Sequence, residues 1–459
     1  MNQVNYKIKS LYFKNTQLIN NIAGTYIIKG GSLIISFFTI PAYMLYFSNQ
    51  TILGLWFTIV SVLQWILTFD FGIGNGLRNK LVPALVKNDK QTIKKYVSSA
   101  YIVIGVISLC TILIGNFLIV LQNWNIILNI SLEVIPNNVL KTVVILVFSG
   151  IVLQFFLQLI TSILYAMQKT ALSNSISLIS SLLILLYVSF FKTGNIQTDL
   201  INLAMVSMLT VNIPLLGATV IVFSTKLKNA RPSIRCYDKD YGFSILKLGG
   251  EFFWIQLALL FINSTNEIII TRMYGSQYVV EYQVYFRLFY LVVTLFSLIA
   301  NPVWSAVTKA YTSKQFDWIV KLNRVLTMLV LFISVGNLAL VGFSQSIVNV
   351  WIKGDAIKIN YFYAFVFVLF SGVTMKNIAS SCFANGLGLL KCQTIYYSFA
   401  AIFKIPIVIL LSYFIKDWIC IVLANTIVLL PYSIIQSRIL DKFYKKNLIT
   451  TQTTARQDK

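Results

Sequence analysis

The feature that most constrains this chain is the recurrence of apolar stretches that are each long enough to cross a lipid bilayer. About 20 apolar residues span the hydrocarbon core as a helix, because a helix satisfies every backbone hydrogen bond within one segment. Twelve such stretches occur, at 21–46, 52–74, 97–121, 141–165, 171–190, 200–225, 245–271, 279–303, 323–344, 361–382, 393–414 and 418–438. The sequence therefore predicts an all-α integral membrane protein with twelve transmembrane helices.

The charge distribution predicts the orientation of these helices. Of the 459 residues, 57% are hydrophobic and 11% are charged, against about 25% charged in soluble domains. The net charge of +23 comes from Lys and Arg clusters on alternate connections, at 7–14, 78–95, 226–247 and 442–446. The connection 122–140 contains neither residue. Since Lys and Arg collect in cytoplasmic loops, we expect both termini in the cytoplasm and no binding of nucleic acid.

The two halves of the chain resemble each other. A basic linker at 226–244 separates an N-lobe at 21–225 (helices 1–6) from a C-lobe at 245–438 (helices 7–12), with a cytoplasmic segment at 1–20 and a tail at 439–459. Three pairs of segments match in order at offsets of 219 to 228 residues: 26–31 with 245–250, 46–50 with 274–277, and 84–90 with 310–315. Because each lobe has an even number of spans, the repeats are parallel. Such pairs of bundles are typical of transporters with a central site.

Several classes of chemistry lack the residues they need. The chain has no His, no nucleotide-binding G-x-x-x-x-G-K-[ST] segment and no cysteine spacing that indicates a disulfide framework or a metal site. Asp238-Lys-Asp240 matches the metal-binding D-x-D pattern, but it stands alone in a short basic loop. We therefore expect no enzyme activity, no cofactor and no metal, and any proton coupling would use carboxylates.

Charged residues within the predicted spans are the candidate functional groups. A charge near the bilayer centre costs at least about 2.5–3.5 kcal/mol, so it indicates a partner or a watery cavity. Lys29, Arg287 and Lys404 have no acidic neighbour on their own span that obviously neutralises them. Their sign favours an anionic substrate, and phosphate is the natural candidate. Arg272 is a further substrate-binding candidate, although at an outer edge it could also reach the interface by snorkelling.

The acidic residues and prolines in the spans leave alternatives open. Asp70, Glu251 and Glu267 could each carry a coupling proton or neutralise a cation of another span. Glu251 and Glu267 are sixteen residues apart, about 24 Å along a helix, so they cannot form an acid–base pair. Proline kinks are ordinary in membrane helices, but one could also be a hinge for alternating access. The prolines concerned are Pro41, Pro214, Pro302 and Pro406.

Three segments resemble Wzx-type O-antigen flippases of the MOP (multidrug, oligosaccharidyl-lipid, polysaccharide) exporter superfamily. They are 69–80 (FDFGIGNGLRNK) at the end of span 2, 301–309 (NPVWSAVTK) after span 8, and 385–393 (NGLGLLKCQ) before span 11. The resemblance extends over the whole chain in length, span number and repeat layout. It implies a MATE-like fold, with two six-helix lobes around a central cavity lined by cations.

The resemblance also implies a function. We expect translocation of an undecaprenyl-diphosphate-linked oligosaccharide across the bacterial inner membrane, from the cytoplasmic to the periplasmic leaflet, by ion-gradient-coupled alternating access. Expected partners are membrane lipid, a polysaccharide polymerase and a chain-length regulator. Gly72, Gly74, Asn75 and Arg78 would form a cytoplasmic gate motif. The alternatives are a cation-coupled multidrug exporter, which would need acids rather than cations in its lumen, and a polysaccharide polymerase or ligase.

Overall fold

A computed structural model describes residues 22–32, 34–35, 38–39, 42–47, 49–68, 72–128, 130–275, 277–351 and 358–457. Within these ranges the chain is helical with short connections, and no strand occurs. The described helices that are long and apolar enough to cross a membrane number ten, and they correspond to the third to twelfth predicted spans. The second predicted span contains a further helix, and the first lies partly outside the described residues. The predicted all-α, multi-pass architecture is confirmed.

The chain divides into two compact units, the first ending at Gly250 and the second beginning at Glu251. The helices of the first unit are α1 (Gln50–Thr68), α2 (Ile73–Val86), α3 (Lys90–Leu121), α4 (Trp124–Leu128), α5 (Asn137–Leu157), α6 (Leu159–Ala166), α7 (Thr170–Phe190) and α8 (Ile196–Ser224). Helix α5 packs against α3, α8 and α1, and α2 packs against α3 and α6. Gly150 lets α8 approach α5 closely, since a Cβ there would lie 2.9 Å from the Met208 side chain.

The remaining helices are α9 (Lys239–Ser264), which crosses the boundary between the units, α10 (Asn266–Met273), α11 (Gln277–Thr312), α12 (Phe316–Trp351), α13 (Tyr361–Leu387), α14 (Lys391–Phe414) and α15 (Ile419–Gln457). In the second unit, α13 packs against α11, α12 and α15, and α14 packs against α15. Small residues again permit close packing. A Cβ on Gly386 would lie 2.9 Å from the Trp304 carbonyl oxygen, so α11 and α13 touch through backbone at this point.

The structure differs from the sequence-based expectation in two connections and within one span. The connection after the second predicted span contains helix α2 despite Pro83, and 3-10 turns at Lys228–Ala230 and Ile234–Cys236 precede α9 in the predicted linker. The seventh predicted span is interrupted at Thr265, where α9 gives way to α10. By contrast, Pro214, Pro302 and Pro406 lie inside continuous helices.

Candidate functional site

Lys404 is the most deeply buried of the cations that the structure describes in the second unit. Its side chain has 0% exposure, and its ammonium Nζ donates to three oxygens, which are Ile262 O at 2.5 Å, Thr265 Oγ1 at 2.6 Å and Asn266 Oδ1 at 2.7 Å. An ammonium has three protons, so these acceptors use its whole donor capacity. All three acceptors are uncharged, and the charge is therefore held by dipoles rather than by a carboxylate.

The acceptors converge because the seventh span is broken where Lys404 meets it. Thr265 separates α9 from α10, and its hydroxyl donates to Phe261 O at 2.7 Å. Asn266, the first residue of α10, is 1% exposed. Its Nδ2 donates to Tyr282 Oη at 3.0 Å, and its Oδ1 also accepts from Asn425 Nδ2 at 2.9 Å. One polar cluster thus joins the break to helices α11, α14 and α15.

The other predicted substrate-binding cations lie in different surroundings. Lys29 is half-buried in the helical stretch 22–32 of the first unit. In the second unit, Arg287 is exposed on α11, and Arg272 is exposed in the last turn of α10, where it complements the negative end of the helix dipole. Within the second unit, therefore, Lys404 is enclosed by protein, whereas Arg287 and Arg272 are exposed.

The predicted acidic residues form no salt bridge in the part of the chain that the structure describes. Glu251 and Glu267 are both exposed, and Glu267 accepts a hydrogen bond from Gln283 Nε2. The ion pair found within the described ranges is Lys95–Asp238, in the first unit. Asp70 lies outside the described residues.

The predicted gate motif forms the start of helix α2. Gly72 adopts φ +62°, which favours glycine, and it begins the helix after the second span. Gly74 and Asn75 are half-buried. Arg78 is 3% exposed, and its guanidinium lies 5.0 Å from the centre of the Tyr165 ring, a cation–π contact. The motif is therefore packed into the first unit.

Asp238 anchors the connection that precedes α9. Its carboxylate accepts from Lys95 Nζ at 3.0 Å, its carbonyl accepts from Ser99 Oγ at 3.0 Å, and its own amide donates back to Ser99 Oγ at 3.1 Å. The hydrogen bond from Lys95 lowers the pKa of Asp238 below its usual range. These contacts give Asp238 a structural role in this connection.

The first unit also contains a cavity of about 320 Å³ between α1, α5, α7 and α8. Its walls combine aromatic rings with small polar groups, and none of the described residues that line it is charged. Trp56 and Phe57 lie on one side, and Thr210 and Asn212 on another. Asn212 is 5% exposed, and its Oδ1 has no hydrogen-bond partner among the described atoms. Such a cavity suits a neutral, largely apolar molecule with one hydrogen-bond donor.

Sequence reasoning missed several polar residues in the spans. Lys376 lies within the tenth predicted span but was not among the intramembrane cations, and Glu281 in the eighth span accepts from Trp418 Nε1 at 3.1 Å. Lys376 and Glu281 could have been found by applying the charge criterion to every span. Asn266 and Asn425 carry no charge, and no signal in the sequence connects them with Lys404.

The fold matches solved structures of transporters. The outward-facing conformation of a multidrug resistance MATE family transporter of the MOP superfamily is 13% identical, with a TM-score of 0.72 over 93% of this chain and 96% of that one. The Vibrio cholerae MATE transporter VcmN in its bent form is 11% identical, with a TM-score of 0.70 over 95% and 99%.

A third solved structure is distinguished by the polarity of its binding pocket. It is a MOP superfamily transporter from Pyrococcus furiosus, described as having a binding pocket of reverse polarity that suggests a different function. It is 14% identical, with a TM-score of 0.71 over 93% of this chain and 96% of that one. No protein-family model and no curated protein matches the chain. The comparisons establish the MATE-like fold.

Proposed function

We propose that this MATE-like membrane protein is a transporter of an anionic amphiphile, and specifically a flippase for an undecaprenyl-diphosphate-linked oligosaccharide. The observation that carries the proposal is the sign of the charge inside the second unit. Lys404 is fully buried and, among the described residues, its ammonium contacts only uncharged acceptors, so it places a positive charge in the interior of that unit. A positive interior attracts anions and repels the lipophilic cations of a typical multidrug exporter.

The cations differ in exposure, and their proposed roles in binding the substrate differ accordingly. Arg287 is exposed and able to bind a diphosphate through its planar fork of donors, and Lys29 is half-buried and can add a point charge. Lys404 would contact the substrate only after it leaves its three acceptors, so in the described conformation it contributes a long-range field. Arg272 is a further exposed donor. The sugars would cross in water while the polyprenyl tail stays in the bilayer.

The fold itself permits either sign of substrate. The Pyrococcus furiosus protein is described as having a pocket of reversed polarity, and it belongs to the same superfamily as the multidrug MATE transporters. Polarity of the interior, rather than fold, therefore has to decide between substrates for this chain. Because the proposed reaction moves a lipid without breaking a bond, it requires no catalytic residue.

A complementation experiment in the native host tests this proposal. We expect deletion of the gene to abolish surface polysaccharide and to accumulate lipid-linked repeat units in the inner leaflet. The double variant Arg287→Gln/Lys29→Gln should insert normally but restore little polymer. The matched control is Lys141→Gln, which removes a cation whose Nζ contacts only the Val120 carbonyl, at 2.7 Å, among the described residues. Normal polymer with the double variant would overturn the assignment of these cations.

A second candidate function rests on the cavity of the first unit. Its aromatic and uncharged lining suits export of a neutral lipophilic drug. This differs from the multidrug exporter considered from the sequence, which would bind lipophilic cations through acidic residues. Filling it with Ser207→Phe should abolish efflux of such a compound if this candidate is correct. If the flippase proposal is correct, the same variant should leave polysaccharide export unchanged.

A further inference from the structure

A cavity of about 410 Å³ lies within the second unit between helices α12, α13 and α15, apart from the Lys404 cluster. It is large enough for a small ligand, since ligand pockets range from about 300 to 1,000 Å³. Its lining includes Arg324 from α12, Lys376 from α13 and Asp441 from α15. The cavity thus combines two cations with one carboxylate.

The polar groups of this cavity satisfy one another's hydrogen-bonding capacity only in part. Lys376 Nζ donates to Thr327 Oγ1 at 3.1 Å, which leaves further donor capacity. Among the described residues, neither Arg324 nor Lys376 forms a salt bridge within 4.0 Å. Asp441 is therefore not the direct partner of either cation. An anion with several acceptor oxygens would meet donors from two helices.

A buried hydroxyl provides an independent sign of a ligand. Tyr444 lines the same cavity and is 3% exposed, and its hydroxyl has no hydrogen-bond partner among the described atoms. A buried hydroxyl that lacks a partner is costly, and in most proteins such a group contacts a bound molecule or an ordered water. Tyr444 thus adds a third donor to the two cations.

The position of the cavity along the helices indicates the source of the anion. Arg324 lies in the third turn of α12, and Asp441 lies on the part of α15 beyond the twelfth predicted span. These helix ends are predicted to lie at the cytoplasmic surface. Basic pockets between transmembrane helices on that side bind phospholipid headgroups.

We propose that this cavity binds the phosphate of a phospholipid headgroup, with Arg324, Lys376 and Tyr444 donating to the phosphate oxygens. Asp441 selects a headgroup whose terminal group donates hydrogen bonds, such as the hydroxyls of phosphatidylglycerol or the ammonium of phosphatidylethanolamine. Phosphatidylcholine, which has no such donor, binds less well. The site is separate from the proposed transport function, and binding can be measured without any transport assay.

The test measures lipid binding to the purified full-length protein by native mass spectrometry and by thermal unfolding in detergent. Phosphatidylglycerol, phosphatidylethanolamine, phosphatidylcholine and inorganic phosphate are added in separate experiments. We expect the first two to remain bound and to raise the unfolding temperature. Arg324→Gln and Tyr444→Phe should each weaken binding about tenfold, the loss expected when one hydrogen bond to a charged group is removed.

Two exposed lysines near the cavity serve as matched controls. Lys321→Gln and Lys442→Gln remove exposed cations from α12 and α15 that do not line the cavity, so lipid binding should be unchanged. Stabilisation by lipid alone identifies a headgroup as the source, and equal stabilisation by inorganic phosphate identifies a free anion and overturns the assignment to lipid. If no phosphate compound binds, or if the Arg324→Gln and Tyr444→Phe proteins bind as well as the wild type, the proposal is wrong. Arg324 is exposed, so its variant should fold even if a Lys376 variant does not.

Discussion

Replacing Lys404 by methionine tests whether the buried ammonium holds the broken seventh span together. Methionine has a similar length and no charge, so the variant removes three hydrogen bonds while it keeps most of the packing. Hydrogen bonds to charged groups contribute about 1.5–3 kcal/mol each, or roughly 4–9 kcal/mol for three. Against this, burying a cation costs several kcal/mol, a penalty that the variant avoids.

The three oxygens that accept from Lys404 differ in the hydrogen bonds that remain to them after the substitution. Thr265 Oγ1 still donates to Phe261 O, and Asn266 Oδ1 still accepts from Asn425, so neither group loses every partner. Ile262 O loses the shortest of the three contacts, at 2.5 Å. Because the acceptors are fixed by the helix break and the ammonium is saturated, we expect the lost hydrogen bonds to exceed the relieved burial cost by about 2 kcal/mol.

The assay is thermal unfolding of the purified protein in detergent. A loss of about 2 kcal/mol in a unit of this size should lower the unfolding temperature by roughly 4–8 °C. Lys141→Met is the matched control, because among the described residues Lys141 Nζ contacts only Val120 O. This variant should shift the unfolding temperature by less than about 2 °C. An unfolding temperature for Lys404→Met equal to or above that of the wild type would refute the reasoning. The ammonium would then be a net cost of the fold, retained for transport alone.

Further predictions concern packing, pH and charge in the first unit and on α11. A Cβ on Gly76 would lie 2.6 Å from the Ile245 carbonyl oxygen, so Gly76→Ala should cost about 1–3 kcal/mol by thermal unfolding, whereas Gly54→Ala, in open space, should cost nothing. The lowered pKa of Asp238 means that its stabilising contribution is present above the unfolded value of about 3.9 and is lost as pH falls through the folded value. The protection factors for amide exchange in the 233–241 connection, which correct for the intrinsic slowing of exchange in acid, should therefore fall below about pH 4, and this fall should be absent in Asp238→Asn. Arg287→Lys should transport the substrate more slowly than the wild type. The variant keeps the positive charge, but it loses the two parallel N–H donors with which a guanidinium binds a phosphate.

Most of the fold could be predicted because the bilayer imposes a simple rule on sequence. A span must be apolar for about 20 residues, so the third to twelfth predicted spans each contain a membrane-length helix. The predicted set of helices was incomplete in the connection between the second and third spans, where the sequence is more polar. The residues between the second and third predicted spans were expected only as a connection, yet they contain most of α2. Leu77 and Leu81 pack into the core of the first unit, and this tertiary burial outweighs the cost of Pro83 in the helix.

Only the charged residue of the candidate site could be predicted from the sequence. Lys404 stands out in the sequence as a cation within an apolar span, but its burial does not follow from that position, since Arg287 also lies within a predicted span and is exposed. Its partners do not follow either, because Asn266 and Asn425 are separated from it and from each other along the chain and are neutral amides. No proline or glycine marks the break at Thr265, and the contacts of Thr265 and Asn266 with Lys404 are tertiary, so these contacts could not be predicted from the local sequence.

The most direct test of the proposed function is transport by the purified protein in liposomes. A fluorescent polyprenyl-diphosphate oligosaccharide is placed in one leaflet, and its arrival in the other is followed by lectin capture of the sugar, with ethidium efflux measured in parallel. We expect oligosaccharide transfer with the wild type, strongly reduced transfer with Arg287→Gln/Lys29→Gln, and no ethidium efflux. Ethidium efflux without transfer of the lipid-linked sugar would contradict the account and identify the protein as a drug exporter.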